Sequence, residues 1–207
     1  QSNEKLKTSK LPKYRKDQLR KQLNSKQEID SETLQIAFRR LDDVYIYQTF
    51  LFLEMERYDD ALNACQKVLK IKPGLTEAYN LMGRASRRKG DFDGAIHFYQ
   101  QVLKENPCYP KVNNNLGIAL AKKGEMEKAI SLYRKSIQCN DNFASPWNNL
   151  GYIALEQGKI NFAIKYFQKA ISINPYHPLA HSNLAEAFLR KKMIPEARTE
   201  VKKALSL

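Results

Sequence analysis

Residues 144–177 read ASPWNNLGYIALEQGKINFAIKYFQKAISINPYH, and residues 110–143 read PKVNNNLGIALAKKGEMEKAISLYRKSIQCNDNF. When the two stretches are aligned, both have glycine at the eighth position and alanine at the twentieth. The same register extends to 42–75, 76–109 and 178–207, which gives five units with a period of 34 residues. A unit of this length cannot bury its apolar face alone, so the period predicts that neighbouring units stack into a solenoid.

Small and large side chains alternate at fixed positions of the unit. Position 8 is glycine in units two to four, Thr49 in unit one and Ala185 in unit five, and position 20 is alanine in every unit. Position 24 carries the larger groups Cys65, Tyr99, Tyr133, Phe167 and Val201. We expect the large groups to fill the space that the small residues leave between two closely packed helices.

Each unit is predicted to be a pair of helices joined by a turn. Apolar residues recur at helical spacing in both segments, as in Ala95, Phe98, Tyr99 and Val102. Glycine at position 15 follows the first helix in units two to four, where it permits a left-handed backbone. Proline at position 32 of three units ends the second helix. The expected fold class is therefore all-α.

The residues Trp147-x-x-Leu150-Gly151, Ala163, Phe167, Ala170 and Pro175, with their counterparts in the other units, resemble the tetratricopeptide repeat (TPR) family. The resemblance covers about 42–207. It implies a right-handed superhelical solenoid of antiparallel helix pairs. It also implies a scaffold or adaptor that binds a protein or peptide in its concave groove, without catalysis or a cofactor.

The N-terminal segment differs from the repeats. Residues 1–30 contain nine Lys and Arg but four Asp and Glu, in a chain whose net charge is +13. Such a segment is typical of a flexible tail, and the cations of residues 5–26 could alternatively bind nucleic acid or an anionic membrane. From about residue 31 an apolar periodic run begins, which predicts one long helix over 31–56 that covers the end of the array. The predicted domains are thus 1–30 and 31–207.

The cysteines and histidines give no sign of catalysis or metal binding. Cys65, Cys108 and Cys139 are odd in number and have no C-x-x-C spacing, so we interpret them as reduced structural thiols. His177 and His181 have no suitably spaced metal-ligand partner. No catalytic motif is present. We expect a non-enzymatic protein with no cofactor and no metal; reduced thiols favour a cytoplasmic location, although a removed signal or anchor stays possible.

Asparagines recur at two groove positions of the first helices. The resemblance places positions 2, 5, 6, 9, 12 and 13 of each unit on the groove. Positions 5 and 6 carry Asn80, Asn114, Asn115, Asn148, Asn149 and Asn183. An amide both donates and accepts, so these side chains could bind the backbone of an extended peptide. The alternative is that they link adjacent helices, because asparagine is common at these positions in the family.

A basic cluster also maps to groove positions in units two and three: Arg84, Arg87, Arg88, Lys111 and Lys122. Clustered cations in a concave surface attract anionic ligands, although a solvated helix face is the alternative. Tyr152 offers an aromatic contact. The chain departs from the family's two-carboxylate clamp, because no unit has lysine at position 5 or asparagine at position 9.

Three functions are compatible with these patterns. The first is an adaptor that binds a protein or an extended peptide, and the basic cluster would favour an acidic one. The second is an RNA- or membrane-associated factor led by the basic N-terminus. The third is a regulatory or assembly module of a larger enzyme or envelope complex. The final helix carries apolar residues that nothing in the sequence covers, which predicts a homodimer through residues 178–207.

Overall fold

The structure is a computed structural model that describes residues 31–207, with side chains described from Leu41 onward. The basic segment 1–30 and its expected ligands therefore lie outside the described residues. All regular elements of the described part are helices: α1 (Ser31–Glu54), α2 (Tyr58–Ile71), α3 (Thr76–Lys89), α4 (Phe92–Glu105), α5 (Pro110–Lys122), α6 (Met126–Cys139), α7 (Ala144–Glu156), α8 (Ile160–Ile173), α9 (Pro178–Arg190) and α10 (Ile194–Ser206). The all-α prediction is confirmed.

The chain divides into two units after Leu41, and the repeats lie in the second, Asp42–Leu207. Within the second unit the helices α2 to α10 follow one another in space as they do in sequence, each packing against the next. First helices of successive repeats also touch, as α3 touches α5 and α7 touches α9. The predicted solenoid of helix pairs is therefore present. We call the surface formed by α3, α5, α7, α9 and the part of α1 from Asp42 the first-helix face.

Glycine packs against an aromatic ring inside each of the three central repeats. A Cβ atom on Gly83 would lie 2.5 Å from the Tyr99 ring, and one on Gly117 would lie 2.6 Å from the Tyr133 ring. The position-20 alanines are all buried. In the first repeat Thr49 replaces the glycine and Cys65 the ring, and Thr49 Oγ1 lies 3.5 Å from Cys65 Sγ. A larger side chain at position 8 accompanies a smaller one at position 24, so the combined volume of the two side chains is conserved.

Proline and left-handed residues set the helix boundaries. Pro110 and Pro178 begin α5 and α9, where the missing amide hydrogen costs nothing. At position 15 the backbone is left-handed in every repeat. Glycine occupies this position in repeats two to four, but Glu56 has φ 56° and Lys192 has φ 64°. A side chain disfavours this conformation, so these two turns carry backbone strain.

Lys192→Gly is expected to raise the free energy of unfolding by about 0.5–1 kcal/mol, because glycine adopts a positive φ without steric cost. Urea denaturation followed by circular dichroism measures the change. The matched control is Gly158→Lys, since Gly158 has φ 72° at the same position of the previous repeat. The free energy of unfolding of that variant should fall by a similar amount. Equal stability of both variants and the wild type would contradict the assignment of strain.

The interpretation of all three cysteines as reduced thiols is wrong for two of them. Cys108 and Cys139 form a disulfide, with their Cα atoms 5.4 Å apart, whereas Cys65 is free and buried. Cys108 lies in the turn before α5, and Cys139 is the last residue of α6. Antiparallel packing of α5 against α6 places the start of one helix beside the end of the other, where Ser136 Oγ donates to the Pro110 carbonyl at 2.8 Å. A test based on local C-x-x-C spacing does not detect such a pair.

Candidate functional site

Asparagine pairs link the first helices of repeats three to five. Asn149 Nδ2 donates to Asn114 Oδ1 at 3.0 Å, and Asn183 Nδ2 donates to Asn148 Oδ1 at 2.9 Å. The two acceptors, Asn114 and Asn148, are buried. Position 6 of one repeat therefore donates to position 5 of the previous one. This geometry favours the helix-linking interpretation for these four side chains. Asn149 and Asn183 themselves are half-buried.

Arginine at position 13 also ties neighbouring first helices together. Arg88 donates to the carbonyl of Leu53 at 3.0 Å, and Arg190 donates to the carbonyl of Leu155 at 3.0 Å. Both carbonyls belong to the last turn of the preceding first helix, where backbone acceptors lack an intrahelical partner. Arg88 also lies 4.0 Å from Glu54. Arg88, a predicted ligand-binding residue, is thus engaged within the fold.

Lysines at position 14 are paired as well. Lys89 Nζ donates to Asp59 at 2.6 Å, and Lys123 forms the corresponding ion pair with Asp93. Each carboxylate lies in the first turn of the preceding second helix. These lysines are structural contacts between repeats and do not extend the basic cluster.

The other cations of the basic cluster differ from Arg88, Lys89 and Lys123. Among the salt bridges of residues 41–207, none involves Arg84, Arg87, Lys111 or Lys122. The Arg84 guanidinium lies over the Phe50 ring, 5.7 Å from its centroid. Both lysines are exposed and the two arginines are half-buried. Repeats two and three therefore present positive charge that the described chain does not neutralise.

Unsatisfied polar atoms accompany these cations at the junction of repeats two and three. Tyr99 Oη and Arg87 Nε are buried and have no hydrogen-bond partner among the described residues. Burial raises the pKa of Tyr99, while the nearby Arg87, Arg84 and Asn115 oppose that rise. Sequence reasoning placed Tyr99 in the core and did not connect it with the groove. The available signal was tyrosine in place of phenylalanine at position 24, because tyrosine adds a hydroxyl, which here lies near Arg87 and Asn115.

Aromatic and apolar side chains flank the basic cluster along the first-helix face. Tyr47 is 65% exposed in the first repeat, Tyr152 is 49% exposed in the fourth, and Leu179 is 64% exposed in the fifth. Asn80 and Asn115 are half-buried. Unlike Asn149 and Asn183, these two form no asparagine pair in the part of the chain that the structure describes. The face therefore combines cations, amides and apolar contacts.

The two neighbouring histidines have structural partners. His177 Nδ1 accepts from the amide of Ala180 at 3.3 Å and so caps α9. His181 is buried, and its Nδ1 lies 2.5 Å from Glu200 Oε2. Burial acts to raise the pKa of Glu200, but hydrogen bonds from Lys203 and His181 outweigh it, so that pKa is lowered. Sequence spacing did not reveal Glu200 as the partner, because it lies on the next helix.

Residues 41–207, whose side chains are described, contain no group of three or more His, Cys, Asp or Glu side chains arranged to hold a metal ion. None of the ten described helices is both long enough and apolar enough to cross a membrane.

Known proteins show the same architecture. The chain matches MamA with 26% identity and TM-score 0.63, covering 76% of this chain and 92% of that one. It matches Pseudomonas aeruginosa pilF with 20% identity and TM-score 0.73, covering 82% and 78%. It matches TTC0263, a thermophilic TPR protein of Thermus thermophilus, with 22% identity and TM-score 0.70, covering 80% and 90%. A comparison with curated proteins finds no significant match.

Family models agree with these structural likenesses. Two models described as Tetratricopeptide repeat match, one over residues 144–177 and the other over 51–107 and 80–143. Their boundaries fall within the repeats seen in the structure, and the glycine–aromatic pairs lie inside the matched region. The chain belongs to the tetratricopeptide repeat family, a class of α-helical repeat proteins that serve as protein-interaction scaffolds.

Proposed function

We propose that this protein is a non-enzymatic adaptor that binds an extended, acidic segment of a partner protein along the first-helix face. The observation that carries the proposal is the contrast between two kinds of cation. The first kind forms hydrogen bonds or ion pairs between repeats, and it comprises Arg88, Lys89 and Lys123. Arg84 and Lys111 belong to the group without an ion pair among residues 41–207 and are available to a ligand.

Electrostatics and shape support this function together. A solenoid provides a long surface that an extended chain can follow. Unneutralised cations on that surface raise the rate of encounter with acidic partners and suppress binding of basic ones. Exposed Tyr47 and Tyr152 at either side of the basic cluster would give apolar contacts to the same ligand. The predicted ligand therefore has acidic residues at its centre and apolar residues flanking them.

The groove asparagines are proposed to add contacts to the backbone of the ligand. Asn115 is the clearest candidate, because it forms no pair with another asparagine in the described residues. Asn149 and Asn183 could contribute their second amide hydrogen while keeping the inter-repeat bond. Alanine at either position would leave a buried Asn114 or Asn148 acceptor unsatisfied. The melting temperature of each variant must therefore be measured together with its affinity, to separate a loss of stability from a loss of ligand contacts.

Reversing charge on the face should slow association with an acidic ligand. We expect Arg84→Glu with Lys111→Glu to reduce the association rate of a labelled Asp- and Glu-rich peptide by about tenfold or more at low salt. The salt dependence of the rate should flatten, because fewer charges attract the peptide. Stopped-flow fluorescence at several salt concentrations measures both effects.

Lys104→Glu with Lys165→Glu is the matched control, since it makes the same change in net charge on α4 and α8, both second helices. It should leave most of the rate intact. If both double variants slow association equally, net charge alone explains binding and the face has no special role. If the peptide with Asn and Gln in place of Asp and Glu binds as well as the acidic one, the acidic preference is wrong.

The disulfide bears on the compartment in which this adaptor works. Disulfides persist in oxidising environments and are rare in the cytosol. The predicted cytoplasmic location rested on reduced thiols, and the Cys108–Cys139 bond removes that basis. We propose an oxidising compartment as the working location. Fractionation of cells followed by alkylation of free thiols would test this.

Self-association through residues 178–207 stays a proposal. Ile194 is 50% exposed, Val201 is 42% exposed and Leu205 is 83% exposed, so α10 presents apolar groups to solvent. If these groups pair two copies, Val201→Glu and Leu205→Glu should each convert a dimer into a monomer in sedimentation velocity experiments. A wild-type protein that is monomeric at high concentration would contradict the proposal.

A further inference from the structure

We propose that the junction of repeats two and three is a carboxylate-binding site in which Arg87 is the anchor, Tyr99 positions it and Asn115 adds an amide donor. The site rests on the proposed function, since it names the place on the first-helix face that would hold an acidic group of the partner. The ligand chemistry is a single carboxylate, supplied by an Asp or Glu side chain or by a chain terminus.

The state of Arg87 is the starting point. Its side chain is half-buried and its Nε atom is buried without a hydrogen-bond partner among the described residues. Placing a guanidinium in such a position costs free energy unless an anion or acceptor compensates it. The guanidinium of the next residue, Arg88, has such an acceptor, because it donates to a backbone carbonyl of the preceding repeat. Arg87 forms no salt bridge with a described carboxylate.

Tyr99 provides the second element. Its ring lies against Gly83, which is one helical turn before Arg87 on α3. The Tyr99 hydroxyl lies near the Arg87 side chain, and it too is buried and lacks a partner among the described residues. A small rotation lets Arg87 Nε–H donate to Tyr99 Oη. That bond would leave the two terminal nitrogens of the guanidinium facing the ligand, in the fork geometry that binds a carboxylate.

Asn115 provides the third element from the next repeat. It occupies the position at which Asn149 and Asn183 donate to a neighbouring asparagine. Asn115 makes no such bond in the described structure, although Asn80 stands at the equivalent acceptor position in the sequence. Its amide lies close to the Tyr99 hydroxyl. The donor that links repeats elsewhere is thus available at this junction for a ligand oxygen.

These three features coincide at one junction. In repeat three the ring at position 24 is also a tyrosine, Tyr133, but position 12 is Ala121. In repeat four the ring at position 24 is Phe167, which has no hydroxyl, and position 12 is Leu155. Repeat five has neither an aromatic ring at position 24 nor a cation at position 12. One junction of the array therefore carries the guanidinium, the phenol and the unpaired amide together. That coincidence distinguishes a ligand site from a generally basic surface.

Tyr99→Phe is the decisive variant, because it removes the hydroxyl but keeps the ring that packs against Gly83. It also removes a buried polar atom without a partner, so the melting temperature should be unchanged or higher. We expect affinity for the labelled Asp- and Glu-rich peptide to fall by about five- to tenfold, since Arg87 is no longer held in place. Arg87→Gln should lose more, and Arg87→Lys should recover little of that loss.

Tyr166→Phe and Lys104→Gln are the matched controls on second helices, and they should bind like the wild type. Two peptides identify the source of the carboxylate. One carries Asp and Glu with an amidated C-terminus, and the other has no acidic side chain but a free C-terminus. The peptide that loses affinity in Tyr99→Phe supplies the group that binds Arg87.

Sodium acetate, titrated at constant ionic strength, tests the site without any peptide. The 15Nε–H resonance of Arg87 should shift and saturate with acetate in the wild type, and the apparent Kd should rise in Tyr99→Phe and Asn115→Ala. A saturating shift without peptide binding would sustain the site and overturn the proposed function. Peptide binding that is indifferent to Tyr99→Phe and Asn115→Ala would sustain the function and overturn the site. Failure of both titrations overturns both.

Discussion

Reduction of the Cys108–Cys139 disulfide is expected to lower the free energy of unfolding by about 3–4 kcal/mol. The bond closes a loop with a sequence separation of 31 residues, and loss of the cross-link restores the conformational entropy of that loop in the unfolded chain. The turn before α5 would also lose its tie to the end of α6. Urea denaturation with and without a phosphine reductant measures the difference, and the Cys108→Ser, Cys139→Ser double variant should match the reduced protein.

The double variant also serves as the control for the reductant. Because it has no disulfide, its unfolding curve should not move when reductant is added. Coincident curves for the oxidised and reduced wild type would contradict a stabilising bond. A curve that shifts equally in the wild type and in the double variant would assign the effect to another action of the reductant.

Thiol reactivity gives an independent measure of the same bond. Cys65 is buried, and burial raises its pKa to about 11, so little thiolate forms at about pH 8. Folded oxidised protein should therefore resist alkylation at all three cysteines. After mild reduction, Cys108 and Cys139 should react while Cys65 reacts only on unfolding. Mass spectrometry after timed alkylation distinguishes these states.

The repeat period was sufficient to predict the fold because it constrains the same contact several times. Glycine at position 8 and a ring at position 24 recur together, and the structure places Gly151 against Phe167 as it places Gly83 against Tyr99. A contact that recurs at a fixed spacing is visible in one sequence without any alignment.

The disulfide and the roles of individual cations could not be predicted in this way. Cys108 and Cys139 occur at different positions of their repeats, so their pairing is not periodic. Arg87 and Arg88 are adjacent in sequence and both mapped to the groove. Only the structure shows that Arg88 donates to the Leu53 carbonyl, while Arg87 Nε has no partner among the described residues. Such differences depend on side-chain direction, which the period does not fix.

Gly151→Ala is expected to lower the free energy of unfolding although alanine is the better helix former. The new Cβ atom would lie 2.5 Å from Phe167 Cε1, 2.7 Å from Cδ1 and 3.0 Å from Cζ. Phe167 is fully buried, so its ring has no space into which to move. Overpacking of this kind costs about 1–3 kcal/mol. The higher helix propensity of alanine offsets about 1 kcal/mol of this cost, so the net loss should be up to about 2 kcal/mol in urea denaturation.

The compensating substitution is present in the sequence itself, because Ala185 and Val201 occupy the same two positions in the fifth repeat. Phe167→Val alone should destabilise the protein strongly by leaving a cavity. When Phe167→Val is combined with Gly151→Ala, the alanine methyl group fills part of that cavity and no longer clashes with an aromatic ring. The double variant should therefore be more stable, by about 1–2 kcal/mol, than the sum of the two single effects implies. Additive effects would show that glycine at position 8 is not required by the ring at position 24, and the volume rule that relates the five repeats would then be wrong.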